Sequence, residues 1–164
     1  MICSINGRAN RELLGCNMIN GKQSLPGSAN PGLDVMLREV GKADLAAFFR
    51  FQLDPEANYM AAFTSQDPTD QAAFDAYCEA ILTDRIIPIQ TILFQGQVAG
   101  SVLSYITQVD REVSYWLCKE FWGKCIATRE LGLYLEIVPG RPIYAWGAVD
   151  NLGSIRVLER NGIR

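Results

Sequence analysis

The sequence contains no histidine, and this absence removes several familiar kinds of active site. A Ser-His-Asp triad, a Cys-His dyad and a histidine general base all need an imidazole, as does a metal site of the His-Glu-x-x-His type. Any chemistry must therefore use carboxylates, hydroxyls, thiols, amines or backbone groups.

Cysteine is present but not in the patterns that make crosslinks or zinc sites. Five cysteines occur, an odd number, and no two are spaced as Cys-x-x-Cys: Cys3, Cys16, Cys78, Cys118 and Cys125. This arrangement argues against a disulfide framework and against a structural metal site. We expect free thiols and no metal ion.

Long apolar runs are also missing. No window approaches 18 consecutive apolar residues, so we expect no membrane partner, and the first ten residues include Arg8 but no apolar stretch typical of a secretory signal. About half of the residues are hydrophobic and a fifth are charged, which is typical of a globular domain. The expected location is the cytoplasm.

The sequence lacks an excess of positive charge. Its formal net charge is −3, which does not favour a nucleic-acid partner. Residues 36–84 carry nine acids and three bases, whereas residues 85–164 carry seven acids and nine bases. The second part could therefore hold an anionic ligand and the first could face a cationic one, although the same counts also describe a surface whose charge is merely uneven.

The composition changes near Met36. Residues 1–35 are rich in Gly, Asn and Ser and show weak periodicity, so we predict a poorly ordered extension there, with Met36 as an alternative start. Residues 36–164 form the predicted domain. Its patterns predict the order β-α-α-β-β-β-α-β-α, an α+β fold around a mixed sheet. Its last two strands can be parallel because a crossover helix joins them.

The most informative stretch joins a strand to a helix through residues 118–125. Helices usually begin at Ser, Thr, Asp or Asn, which bind the unpaired backbone N–H groups of the first turn, but no such residue lies between Trp122 and Cys125. Lys124 and Arg129 make the region electropositive. A phosphate or pyrophosphate could bind to the N–H groups of such a helix start. Water molecules could equally cap the same N–H groups.

Here the sequence resembles a known family. Tyr115-Trp116-Leu117, followed by Phe121-Trp122-Gly123-Lys124-Cys125-Ile126-Ala127-Thr128, is similar to the acetyl-CoA loop of GNAT N-acetyltransferases, in particular the branch acting on ribosomal proteins and antibiotics. The family pattern Gln/Arg-x-x-Gly-x-Gly/Ala falls on residues 122–127, where Trp122 and Cys125 depart from it. The resemblance implies a GNAT-like mixed sheet flanked by helices and acetyl-CoA as co-substrate. The cofactor-binding residues that it implies in this region are Leu117, Cys118, Trp122, Gly123, Lys124, Cys125, Ile126, Ala127 and Thr128.

A second similar stretch closes the domain. Asn151-Leu152-Gly153-Ser154 to Asn161-Gly162 resembles the family's final helix, in which Asn151 and Ser154 line the thiol end of CoA. Asn151 also makes a good helix cap with no ligand involved. Many members carry a tyrosine acid at the position of Leu158, so in this chain Ser154 or water must replace it.

The resemblance implies direct transfer of an acetyl group from acetyl-CoA to a primary amine, either a protein N-terminus or a small molecule. Strand alternation places Glu112 on one face with Ser114, Trp116 and Cys118, so Glu112 is the candidate base, or else a solvated residue at a strand start. A backbone N–H near Leu117 or Cys118 would polarise the thioester, and Ser154 would assist the leaving thiolate. The altered positions leave two alternatives open, a non-catalytic CoA-binding module and an inactive truncated remnant.

The end of the sequence adds an expectation about the sheet. In the family the final helix is followed by Phe and two further strands, whereas this sequence ends at Ile163-Arg164. With those final strands missing, the strand over 143–148 would have an exposed, apolar edge. We therefore expect weak or no turnover and a tendency to self-associate.

Overall fold

A computed structural model of the chain describes residues 13–17, 34–107 and 110–163, the first of these segments by its backbone alone. The strands are β1 (Leu13–Asn17), β2 (Val35–Glu39), β3 (Ile89–Phe94), β4 (Gln97–Thr107), β5 (Asp110–Leu117) and β6 (Ile143–Ala148). The helices are α1 (Lys42–Gln52), α2 (Pro55–Met60), α3 (Gln71–Thr83), α4 (Ile126–Ile137) and α5 (Leu152–Arg160). The predicted α+β fold with a mixed sheet is confirmed.

In the described part of the chain the strands form one sheet in the order β1-β6-β5-β4-β3-β2. Strands β2 to β5 are antiparallel neighbours, with a turn at Gln95-Gly96 between β3 and β4. Strand β6 is parallel to β5, as predicted, because α4 crosses over between them. This parallel pair is the feature that positions the site described below.

The expectation of an open edge at β6 is wrong in this structure. Strand β1 pairs antiparallel with β6 over five positions, from Leu13 opposite Ala148 to Asn17 opposite Tyr144. Its backbone groups therefore supply the partners that the outer edge of β6 would otherwise lack. The rest of the predicted extension over 1–35, apart from the start of β2, lies outside the described residues.

All four predicted helices are present, and one further helix, α2, was missed. The buried residues of α1 include Phe48, and those of α3 include Phe74 and Cys78, which are the predicted apolar stripes. Asp54-Pro55 ends α1 as expected, but Asp54 also caps α2 by accepting from the Ala57 N–H at 2.9 Å. Proline suits a first helical position, so one dipeptide serves as both a stop and a start. No helix in the described ranges is long and apolar enough to cross a membrane.

The helices cover both faces of the sheet. On one face, the main apolar cluster joins Leu131 and Tyr134 of α4 and Leu158 of α5 to strand residues such as Val113. On the other, Phe48 of α1 and residues of α3 pack against the sheet. Alternation along β5 thus sends odd-numbered side chains toward α4 and even-numbered ones toward α1 and α3.

Asp44 ties α1 to the far edge of the sheet. Its carboxylate accepts two hydrogen bonds from Arg38, at 2.6 and 2.8 Å, one from Thr91 at 2.7 Å and one from the Gly41 N–H at 2.8 Å. These donors, the Arg38 guanidinium foremost, lower the pKa of Asp44 to about 2. The start of α1 is therefore fixed to β2 and β3 over the whole physiological pH range.

Glu130 on α4 is an exception in the core. Its side chain is fully buried, and neither carboxylate oxygen has a hydrogen-bond partner among the described residues. Burial raises the pKa of Glu130 well above its ordinary value, because the charged form would lose its hydration without gaining a partner. The neutral carboxylic acid is therefore the form that the fold favours.

Replacing Glu130 should change how stability depends on pH. Below the ordinary glutamate pKa both the folded and unfolded chains hold the proton. Above it only the unfolded chain ionises, so the free energy of unfolding falls by up to about 1.4 kcal/mol per pH unit until the folded-state pKa is reached. We expect Glu130→Gln to be more stable than the wild type by a margin that widens as the pH rises from about 5.

Thermal unfolding of wild type and variant across a pH series measures this margin. Glu136→Gln, which removes an exposed carboxylate from the same helix, is the matched control. A margin for Glu130→Gln that stayed constant or narrowed with rising pH would contradict the prediction.

Candidate functional site

A cleft opens where β5 and β6 part. The two parallel strands are paired only at Arg111 opposite Ile143 and Glu112 opposite Tyr144. Beyond these positions residues 113–117 of β5 and 145–148 of β6 line opposite walls of one cavity of about 590 Å³. A volume of this size suits a small ligand or the extended arm of a larger one.

The start of α4 opens into this cavity without a capping side chain. Its N-cap residue Cys125 has a left-handed backbone, with φ of 60°, and makes no side-chain hydrogen bond to the helix. Gly123, two residues earlier, is also left-handed, with φ of 73°. Left-handed residues turn neighbouring backbone N–H groups toward one side, and the first-turn N–H groups of a helix attract anions. The predicted helix start without a capping side chain is therefore present in the structure.

The left-handed conformation of Cys125 explains why glycine is expected there. A side chain raises the energy of this backbone region, whereas glycine adopts it freely. We predict that Cys125→Gly raises the free energy of unfolding by about 0.5–1 kcal/mol and tightens CoA binding, because no Cβ then hinders approach to the backbone N–H groups.

Gln95→Gly is the matched control, because Gln95 is also left-handed, with φ of 52°, but lies in the β3–β4 turn. It should stabilise the fold and leave CoA affinity unchanged, as measured by unfolding and by calorimetry. Equal CoA affinities for Cys125→Gly and the wild type would show that the Cβ at position 125 does not crowd the ligand.

Most of the predicted cofactor-binding residues meet in this cavity, while two do not. Cys118 and Lys124 are absent from its lining, and the Lys124 ammonium instead lies over the Phe121 ring, 5.5 Å from its centre. Among the residues that the structure describes, no three Cys, Asp or Glu side chains are grouped as a metal site. The predicted residues that do line the cavity are Leu117, Trp122, Gly123, Cys125, Ile126, Ala127, Thr128, Asn151 and Ser154.

Backbone hydrogen bonds decide which N–H faces the cleft at the end of β5. The Cys118 N–H donates to the Ala99 carbonyl at 2.8 Å, so it is used within the β4–β5 pair and cannot polarise a bound thioester. Since successive residues of a strand point their N–H groups in opposite directions, the Leu117 N–H faces the other way, toward the cleft. The Trp122 indole donates to the Leu117 carbonyl at 2.8 Å and holds this strand end in place.

Glu112 lies outside the cavity. It is the last residue of β5 that is still paired with β6, and the cleft opens only beyond it. Its two carboxylate oxygens accept from the Tyr105 hydroxyl at 2.7 Å and the Thr107 hydroxyl at 3.1 Å. Glu112 lies on the face of β5 that strand alternation predicted. It does not line the cleft, so it is not placed to contact a substrate there.

The start of α5 forms a further wall of the cavity. Asn151 caps the helix by accepting from the Ser154 N–H at 2.9 Å, and it donates from its amide to the Met60 carbonyl at 2.9 Å. The Ser154 hydroxyl lies 2.9 Å from the hydroxyl of Tyr115 on β5. Leu158, one turn later, is buried in the main core. The hydroxyl pair spans the cleft, and sequence reasoning gave Tyr115 no role.

The two ends of the cavity differ in charge. Near α2 it is lined by Glu56, whose carboxylate pairs with Lys119, and by Asp150, which accepts from the Tyr59 hydroxyl at 3.1 Å. At the other end Asn161, just beyond α5, donates to the Thr128 carbonyl in the first turn of α4, which brings the end of α5 beside that turn. Two cavity-lining bases lie on α5, Arg156 and Arg160, and Arg160 is next to Asn161. The uneven charge of residues 36–84 and 85–164 pointed to such a polarity but did not identify these residues.

The two parallel strands that part beside an uncapped helix form a cleft whose chemistry suits a phosphate-bearing ligand. The model of the acetyltransferase (GNAT) domain family matches residues 34–164. The chain therefore belongs to the GNAT acetyltransferase domain family, and acetyl transfer is the general activity of that family. No curated protein matches the chain in sequence.

Several solved structures share the fold. A putative acetyltransferase from T. thermophilus is 27% identical, with a TM-score of 0.60 over 76% of this chain and 69% of its own. An aminoglycoside acetyltransferase, AAC(6')-Ib, in complex with coenzyme A is 19% identical, with a TM-score of 0.64 over 78% and 83%. RimJ of Mycobacterium smegmatis, in complex with CoA-disulfide, is 21% identical, with a TM-score of 0.64 over 76% and 68%. At these identities the last two establish likeness of fold alone.

Proposed function

We propose that this chain transfers an acetyl group from acetyl-CoA to a primary amine, either a protein N-terminus or a small molecule. The observation that carries the proposal is the uncapped, left-handed start of α4 opening into the cleft between β5 and β6. AAC(6')-Ib is bound to coenzyme A and RimJ to CoA-disulfide, and coenzyme A offers a pyrophosphate for such a helix start. Gly123 and residues 125–128 would hold that pyrophosphate.

The charge difference along the cavity supports an orientation for the two substrates. The anionic end of CoA lies at α4, where Arg160 adds positive charge, and the acyl arm runs between the parted strands. A cationic amine approaches from the α2 end, attracted by Asp150, since the charge of Glu56 is paired with Lys119. The amine proton leaves to a cavity carboxylate or to water, and the neutral nitrogen attacks the thioester carbon.

Two groups in the cleft assist the reaction. The Leu117 N–H, directed into the cleft, donates to the thioester oxygen as negative charge develops there. The Ser154 hydroxyl donates a hydrogen bond to the leaving thiolate. Both lie on the cavity wall, and neither needs a histidine.

A second candidate function is a CoA-binding module without turnover. It is favoured by Leu158, whose buried apolar side chain stands where many family members have a tyrosine acid. This candidate shares the cofactor site with the first one and differs only in the chemical step.

Two measurements test the proposal. Acetyl-CoA at a hundred times its dissociation constant should stabilise the fold by about 2.7 kcal/mol, seen as a rise in melting temperature. A panel of primary amines, with release of the CoA thiol as the readout, should then reveal turnover. Stabilisation without turnover on any amine would select the binding module, whereas no stabilisation at millimolar acetyl-CoA would contradict both candidates.

A further inference from the structure

The hydroxyl pair across the cleft joins two elements that are distant in sequence. Tyr115 lies on β5 and Ser154 in the first turn of α5, and their hydroxyl oxygens are 2.9 Å apart. Both residues line the cavity, and the Ser154 N–H is held by the Asn151 side chain. Asn151 therefore holds the backbone of Ser154, and Tyr115 is the hydrogen-bond partner of its hydroxyl.

The chemistry of the two hydroxyls favours one direction for their hydrogen bond. A phenol is the stronger acid and the better donor, and an aliphatic hydroxyl has two acceptor lone pairs and one hydrogen. Burial raises the pKa of Tyr115, so its phenol keeps its proton throughout the neutral range. Either hydroxyl can donate in this pair; with Tyr115 as the donor, Ser154 accepts and its own hydrogen is left for a third partner.

We propose that Tyr115 is a positioning residue whose phenol holds the Ser154 hydroxyl so that its hydrogen points at the sulfur of CoA. This inference rests on the proposed function, because it needs CoA in the cleft. The cleft has a phenol on β5, although α5 carries Leu158, which has no hydroxyl.

The step balances without a net proton transfer from either hydroxyl. The amine nitrogen forms a bond to the thioester carbon, the carbon–sulfur bond breaks, and the sulfur keeps the electron pair as a thiolate. Ser154 donates a hydrogen bond to that thiolate and retains its proton. The proton released by the amine goes to a cavity carboxylate or water, and the thiolate is protonated from solvent when CoA leaves.

Titration of the bound CoA thiol tests the inference without any acceptor. The ultraviolet absorbance of the thiolate is followed against pH for CoA on the wild type, Tyr115→Phe, Ser154→Ala and the double variant. Desulfo-CoA, which has no sulfur, supplies the background from the protein's own thiols and phenols. Tyr134→Phe is the matched control, because Tyr134 also loses a buried phenol hydrogen bond, to the Pro88 carbonyl, outside the cavity.

We expect the bound thiol of the wild type to have an ionisation constant roughly tenfold above that of free CoA, whose thiol resembles an ordinary one of pKa about 8.5. Tyr115→Phe and Ser154→Ala should each remove most of this increase, and the double variant should remove no more. Tyr134→Phe should titrate like the wild type.

Three outcomes would overturn the inference, and one of them separates it from the proposed function. If Tyr115→Phe titrates like the wild type while Ser154→Ala does not, Tyr115 only packs. If the wild-type thiol is unshifted although calorimetry shows bound CoA, Ser154 does not face the sulfur and the proposed function survives. If CoA does not bind the wild type, both fail together.

Discussion

Gly100→Ala is expected to lower the free energy of unfolding by about 3 kcal/mol or more. A Cβ at this position would lie 1.9 Å from the carbonyl oxygen of Trp116 and 3.1 Å from the Cα of Leu117. These atoms belong to the backbone of β5, so no side chain can move aside to make room. Strands β4 and β5 would have to separate where Gly100 faces Leu117, at the wall of the cleft.

Gly147→Ala is the control for this prediction. Gly147 also lies in a strand, but its added Cβ would meet only the Ile155 side chain at 3.8 Å, an ordinary contact. We expect its effect to stay within about 0.5 kcal/mol in denaturant unfolding followed by circular dichroism. Equal losses in the two variants would show that close approach to β5 is not what requires glycine at position 100.

Gly123→Asp should weaken CoA binding by at least about tenfold. The new carboxylate would stand beside the helix start that is proposed to hold the pyrophosphate, so like charges would meet where the structure offers N–H groups. At this position an added Cβ meets no atom within 4 Å, so the fold itself has room for the change. Calorimetric titration with CoA gives the affinity directly.

Gly140→Asp separates charge at the site from the general cost of the substitution. Gly140 is also left-handed, with φ of 84°, and has open space around its Cβ position, but it lies in the α4–β6 loop outside the cavity. The two variants should lose similar stability, while Gly140→Asp keeps the wild-type affinity for CoA. If both lost affinity alike, the α4 start would not be the anion site.

The residues proposed to hold CoA could be located from the sequence because their signals are local. A missing cap before Ile126, glycine at 123 and Asn151 followed by Ser154 are all legible within a few residues, and the structure places each of them in the cleft. They describe backbone geometry at helix starts, which short sequence patterns determine directly.

The proposed acceptor end could not be predicted, since it is built from contacts between distant segments. The bonds from Tyr59 to Asp150 and from Asn151 to Met60 each join residues 91 positions apart. Glu112 shows the same limit in another form. Alternation gives the face of a residue on a strand, but not the point along the strand where two neighbours part.

Strand β1 was missed for a related reason. Its segment has a linker-like composition around it and no apolar alternation, and its strand partner within the described ranges, β6, lies near the other end of the chain. A short strand of this kind is identified by the edge it covers rather than by its own residues.

The pairing of β1 with β6 has a consequence for the order of events during synthesis. Strands β2 to β5 pair in chain order, and only short connections separate β3, β4 and β5, whereas β1 precedes them all and pairs with β6, which is made after β5 and α4. Until β6 is made, the β1 segment has no described strand to pair with. When β6 emerges, β1 of the same molecule competes with edges on neighbouring nascent chains, and its covalent tether is what favours the correct pairing.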